Sequence, residues 1–294
     1  MCQLGLFRQS EHLGAKLDKG HTTRTITRVK GGDLQGLSED AIALEEPLEI
    51  RVSGDTLAIT MRTPGDDDKL AVGFLFAEGI IGSLKDVGRV FHCGRPGTEE
   101  YGNSIEVTPA PGRSLDIDRM GLSRRGTLTT SSCGVCGRQS IQDLLDRCQA
   151  INPGPNVSIE LLLKIANQLR NRQPTFEETG GVHAAAAYGL SGDLISCYED
   201  VGRHNAVDKV IGSLIYDKGM ADGGSAGTAV LCVSGRASFE IVQKAAMAGI
   251  PVVASVSAAS SLAIDLAQEL KITLVGFVRG EGFNIYSHPE RVSE

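Results

Sequence analysis

Ala229-Val230-Leu231-Cys232-Val233-Ser234-Gly235-Arg236, followed by a helical pattern holding Ile241 and Ala245, reads as strand, loop and helix in that order. The unit returns at residues 251–256, the loop Ser257-Ala258-Ala259-Ser260, and a helix bearing Leu262 and Leu266. An earlier copy runs from residues 194–198 through a loop into a helix with Val207, Val210, Ile211 and Leu214 on one side. Residues 272–278 close the series and lead through Arg279-Gly280-Glu281-Gly282 to a short strand at 283–286. Short apolar strands alternating with amphipathic helices predict an α/β fold with a largely parallel sheet, covered on both faces.

In such sheets ligands sit at the carboxyl ends of the strands. Those ends carry Glu199-Asp200-Val201-Gly202-Arg203-His204-Asn205, Ser234-Gly235-Arg236, residues 257–261, and Arg279-Gly280-Glu281. Glycine, serine and arginine at helix starts suit phosphate groups. No Walker loop or Rossmann glycine fingerprint is present, so the expected ligand is an anionic, nucleotide-like molecule held by backbone and arginine. Within Arg203-His204-Asn205-Ala206-Val207-Asp208-Lys209, Asn205 reads as a helix cap and Asp208 as its capping-box partner. Arg203 and His204 just before the helix would add to an anion site or move a proton.

Upstream, residues 49–52 and 57–61 flank Ser53-Gly54-Asp55, a hairpin signal. An apolar helix from Leu70 to near Gly79 and strands at 90–93 and 104–107 complete a strand–strand–helix–strand–strand order, the layout of a small ubiquitin-like roll. Asp66, Asp67 and Asp68 read as a solvated helix start. Residues 109–113, rich in proline and glycine, read as a linker. The expected organisation is an extension over 1–20, an α+β roll over 21–113 and an α/β domain over 114–294. That last domain opens with helices expected at 139–150 and at 158–171, the second capped by Ser158.

Chemistry concentrates at Cys133-Gly134-Val135-Cys136, in a loop rich in glycine and hydroxyls and bracketed by Arg124, Arg125 and Arg138. Ile141, Leu144, Leu145 and Cys148 follow at helical spacing, which puts the pair at a helix start where a thiolate is favoured. A structural zinc site needs a second such pair, and none is present. Cys93, Cys148, Cys197 and Cys232 lie singly in apolar patterns, as small buried hydrophobes do. His183 invites comparison with zinc deaminases, but position 185 is alanine where their general acid/base glutamate belongs.

The 294 residues carry a net charge of −7, seven cysteines, 4% aromatics and no tryptophan. These values argue against a nucleic-acid binder and a secreted disulfide scaffold, and place the chain in a reducing cytoplasm. Residues 245–264 are uncharged over a span-like length, but Gly249, Pro251 and the serines favour helix end, strand and loop over a membrane segment.

Arg62-Thr63-Pro64-Gly65-Asp66-Asp67 with residues 70–79, Ser131-Ser132-Cys133-Gly134-Val135-Cys136-Gly137, residues 199–209, Ser234-Gly235-Arg236 and residues 284–291 together resemble the FdhD-type accessory sulfurtransferases required for formate dehydrogenase. The resemblance runs from about residue 23 to residue 292. It implies a C-terminal cytidine deaminase-like α/β domain without zinc chemistry and no tightly bound metal. It also implies an activity: sulfur accepted from a cysteine desulfurase as a cysteine persulfide and passed to bis-molybdopterin guanine dinucleotide before that cofactor enters the formate dehydrogenase catalytic subunit. By motif, Cys133 would carry the persulfide, and Cys136 would either resolve it or tune the thiolate. Phe277, Val278, Arg279, Gly280, Glu281 and Gly282 match the stretch that contacts the cofactor, with Arg203, His204, Ser234 and Arg236 expected beside it. Family members tend to be homodimers. The competing expectation is a cofactor-delivering chaperone without covalent sulfur chemistry. A thioredoxin-like oxidoreductase fits less well, because no strand leads directly into the cysteine pair.

Overall fold

The computed structural model describes residues 20–94, 101–115, 148, 150–151, 154–221 and 224–294. Two sheets organise it. The first has the order β4-β3-β6-β5, built from β3 (Glu46–Val52), β4 (Asp55–Arg62), β5 (Val87–His92) and β6 (Ser104–Pro109). Its central pair β3/β6 is parallel and its outer pairs antiparallel. The β3–β4 hairpin forms where expected. Ser53 and Gly54 take φ of 52° and 91°, the doubly positive turn whose twist matches that of the strands.

The second sheet has the order β13-β12-β11-β10-β8-β9. Its strands are β8 (His183–Tyr188), β9 (Leu194–Asp200), β10 (Val230–Val233), β11 (Val252–Ser255), β12 (Thr273–Arg279) and β13 (Gly282–Ser287). The sheet is mixed rather than largely parallel. Only β10/β11 and β11/β12 run parallel, while β8/β9, β8/β10 and β12/β13 are antiparallel. The reason is connection length: residues 189–193 and Gly280-Glu281 are too short for a crossover and force hairpins.

Alternation along these strands fills two cores. Ala184, Ala186, Tyr188, Val230, Cys232, Val252, Ala254 and Val275 pack with α2 (Ile159–Arg170), whose N-cap Ser158 accepts from Leu161 N at 3.1 Å as expected. Ala185, Ala187, Leu231, Val233, Val253 and Leu274 face α4 (Arg203–Lys218), α5 (Phe239–Met247) and α6 (Ser261–Glu269). The short α3 (Pro174–Thr179) precedes β8.

One cluster of buried residues joins this layer to α1 (Asp67–Ala77) and to the inner face of the first sheet, through Leu48, Ile50, Leu70, Leu75 and Phe76. The crossing of α1 and α4 is close because glycine faces glycine. A Cβ on Gly73 would overlap the carbonyl oxygen of Asp208, and one on Gly212 that of Lys69. Asp67 departs from the solvated reading: it is buried and receives both Nε and Nη2 of buried Arg62, each at 3.0 Å.

A hairpin of β1 (His21–Lys30) and β2 (Asp33–Ala43) forms a separate two-stranded sheet that hydropathy did not predict, since most of its side chains face solvent. β7 (Val157–Ser158) pairs with β14 (Val292–Ser293). Among the described residues no helix is long and apolar enough to cross a membrane. The stretch 245–264 breaks into helix, strand, loop and helix as expected. The helix expected at 139–150 falls almost wholly outside the described residues.

Candidate functional site

The carboxyl edge of the second sheet is fastened from below by one buried carboxylate. Asp200, fully buried at the end of β9, accepts from Gly202 N at 2.8 Å, Asn205 Nδ2 at 3.0 Å and Thr63 N at 3.2 Å. Lys209 Nζ lies 2.8 Å from it and also donates to Thr63 O at 2.9 Å. Asn205 is therefore no helix cap. It sits inside α4, where Nδ2 donates to Met61 O at 2.7 Å and Oδ1 accepts from Thr60 Oγ1 at 3.1 Å. Nor does Asp208 complete a capping box, for it pairs with buried Lys244 at 2.6 Å. Helix α4 begins after Gly202 with no side-chain cap, because Asn205 is spent on tying β4 to the 200–204 loop.

Above this knot lie Arg203, His204 and His183. Arg203 Nε is buried and has no hydrogen-bond partner among the described residues. Gly235 lets His183 and Arg203 pack close over the loop: a Cβ there would come within 3.2 Å of His183 Nδ1 and 3.4 Å of Arg203 Cβ. Burial pushes the His183 imidazole below its ordinary range, and Arg203 and His204 beside it push it the same way. His204 is fixed at both nitrogens, with Nδ1 2.9 Å from Glu240 Oε2 and Nε2 2.9 Å from Ser238 Oγ. Two uncapped helix starts, those of α4 and α5, meet this region and add their positive ends.

Ser234 Oγ accepts from Ala184 N at 2.9 Å, which spends it on holding its loop, whereas Arg236 is exposed. From this loop a chain of bonds leads to the other predicted group. Ser255 Oγ lies 2.8 Å from Gly235 O and 3.0 Å from Ser257 O, and Ser257 O accepts Phe277 N at 2.9 Å. Phe277 takes a φ of 56°, a left-handed backbone that a phenylalanine adopts only under constraint. A register shift between Gly276 and Arg279 makes this stretch a bulge. The Arg279 guanidinium lies over the Phe277 ring at 5.6 Å. Arg279, Gly280, Glu281 and Gly282 are exposed, while the Val278 side chain is buried in the core and can meet a ligand only through its backbone. The two predicted groups thus share one edge.

Cys133 and Cys136 lie outside the described residues. Of the other cysteines, Cys93, Cys197 and Cys232 have thiols pushed up by burial, Cys197 to about 11 and Cys232 to about 12. None of these three is a thiolate at neutral pH. Among the described residues, no group of three or more His, Cys, Asp and Glu is placed to hold a metal ion.

Residues 43–293 match the model of the FdhD/NarQ family. The chain belongs to that family. Relatives named sulfur carrier protein FdhD include one from Anaeromyxobacter sp. (strain K), 53% identical over 271 residues and 92% of each chain. Another, from Streptomyces coelicolor, is 46% identical over 277 residues, covering 92% of this chain and 95% of that one. A crystal structure of a formate dehydrogenase accessory protein from Desulfotalea psychrophila superposes with a TM-score of 0.71 at 25% identity, covering 93% of this chain and 99% of that one. For a member of the FdhD/NarQ family, sequence reasoning missed Thr63, Ser238 and Glu240 as parts of the site. The available signal was polarity out of place: Ser238 and Glu240 flank Phe239 at the start of a helix whose residues are mostly buried.

Proposed function

We propose that this chain is a cytoplasmic sulfur carrier of formate dehydrogenase maturation. It takes sulfur from a cysteine desulfurase as a persulfide on Cys133 and passes it to bis-molybdopterin guanine dinucleotide before the cofactor enters the formate dehydrogenase catalytic subunit. One observation carries the reading beyond family membership: the buried Arg203 Nε, without a hydrogen-bond partner among the described residues, beside the Ser234-Gly235-Arg236 loop and between two uncapped helix starts. Such a setting suits the diphosphate of a dinucleotide. Phe277, Val278, Arg279, Gly280, Glu281 and Gly282 extend the same edge, where a strained bulge presents backbone and the Arg279 cation. Arg236 adds donors, His204 lines the edge with both ring nitrogens held by Glu240 and Ser238, and Ser234 shapes the loop.

In loading, the Cys133 thiolate attacks the outer sulfur of the donor persulfide. The donor's S–S bond breaks, and its cysteine leaves as a thiolate that takes up a proton. The raised thiols of Cys93, Cys197 and Cys232 support assigning this work to the Cys133/Cys136 pair, with Cys136 as partner to the carrier.

The same reading assigns residues 21–113 to a ubiquitin-like roll and 114–294 to a cytidine deaminase-like domain, in a homodimer. The β4-β3-β6-β5 order with a parallel central pair supports the roll. The test is intact mass after incubation with a cysteine desulfurase and cysteine, under non-reducing conditions, with peptide mapping. A reducible gain of sulfur at Cys133, lost in Cys133→Ala, is expected. An unmodified protein that still binds the guanine dinucleotide cofactor makes it a delivery chaperone instead.

A further inference from the structure

Among the described residues three α-helices open on a serine, and two of those serines do what serine does there. Ser158 Oγ accepts from Leu161 N, and Ser260 Oγ accepts from Ala263 N. Ser238, the N-cap of α5, makes no such bond, and its hydroxyl turns to His204 Nε2 at 2.9 Å. The other nitrogen, Nδ1, meets Glu240 Oε2 at 2.9 Å. With Glu240 accepting the Nδ1 proton, Nε2 is left as an acceptor and Ser238 Oγ–H as its donor. Nucleophile, base and orienting carboxylate stand in hydrogen-bonded series, the relation that defines an activated serine irrespective of fold. Glu240 and His204 are almost buried, with side-chain exposures of 10% and 14%, which strengthens their interaction. Ser238 keeps an accessible face. Beside it, α5 offers its opening N–H groups, since intrahelical bonding begins only at Val242 N→Ser238 O.

We infer that Ser238, His204 and Glu240 form a nucleophilic serine triad acting on carboxylic esters, an activity separate from sulfur transfer. Ser238 Oγ forms a bond to the acyl carbon while its proton passes to His204 Nε2. The ester C–O bond breaks and the leaving alkoxide takes that proton. Water then enters by the reverse path, releases the acid and regenerates Ser238. Glu240 is a positioning residue that holds the imidazole.

The intact protein is treated with diisopropyl fluorophosphate and followed by intact mass and peptide mapping, and in parallel assayed on 4-nitrophenyl acetate. In the labelling, Oγ–P forms, P–F breaks, and the serine proton leaves through His204. A single adduct at Ser238 is expected. Ser238→Ala abolishes it, and Glu240→Gln slows it at least a hundredfold without loss of the folded state by thermal melting. Ester turnover falls to the uncatalysed rate in Ser238→Ala. Absence of an adduct on folded protein, equal labelling of Glu240→Gln, or unchanged turnover in Ser238→Ala overturns the triad. Sulfur loading at Cys133 is read separately, so either result leaves that proposal standing on its own test.

Discussion

At the scale of the single residue, two side chains set what the site tolerates. Asp200 is fully buried, and Lys209 supplies the charge that compensates it. Lys209→Met removes that charge and leaves a carboxylate in a dry pocket, with an expected loss of about 3–5 kcal/mol in urea unfolding. His183 acts in the other direction. Its folded-state affinity for a proton is depressed from the ordinary value of 6.5 by burial and by Arg203 and His204. Below that value the unfolded chain binds the proton more readily than the folded one, so stability declines as pH falls. Melting temperatures measured from neutral pH downward should show this decline, and His183→Gln should flatten it.

At the scale of elements, the crossing of α1 with α4 is the least forgiving contact. Gly73→Ala forces its methyl into the Asp208 carbonyl, and backbone cannot yield as a side-chain tip does. A loss of at least about 2 kcal/mol is expected by denaturant titration, larger than that of an exposed substitution such as Ser191→Ala, which touches no packed backbone. Elements were legible in the text where one physical signal dominated. Ser158 before an apolar helix, Ser53-Gly54 between strands, and the recurring strand–loop–helix units in the second half all have local causes. What escaped was set by contacts that only the folded chain brings together, or left no hydropathy pattern to read. Asn205 looks like a cap in sequence because nothing local reveals that Met61 O and Asp200 will claim its amide. Asp67 looks solvated because Arg62 meets it only after β4 turns into α1. The β1–β2 hairpin lacks a buried face and so lacks the alternation that marks a strand. The site was legible as a set of strand-end loops, but the Ser238–His204–Glu240 contact joins two helices and has no linear signature.

At the scale of the molecule, the two sheets are not independent supports. A single buried cluster runs from Leu48 and Ile50 through Phe76 to Val210, Leu214 and Leu231. The polar knot repeats the connection through Thr60, Met61 and Thr63. The C-terminal half produced alone, from residue 114 onward, would expose the face of α4 that α1 covers and strand Asp200 without the Thr63 amide. Dye binding and broad melting in that fragment, against cooperative unfolding of the full chain, are the expected outcome.

That knot also has a consequence in time. Thr60 and Asn205 bond across 145 residues of sequence, and Thr63 O waits 146 residues for Lys209. Closures of that length come late in folding, after local hairpins and helices have formed. During synthesis the first sheet is made long before the loop it must hold has left the ribosome. A nascent chain therefore carries no assembled site, and the anionic cofactor proposed for it would meet a competent edge only on the finished protein.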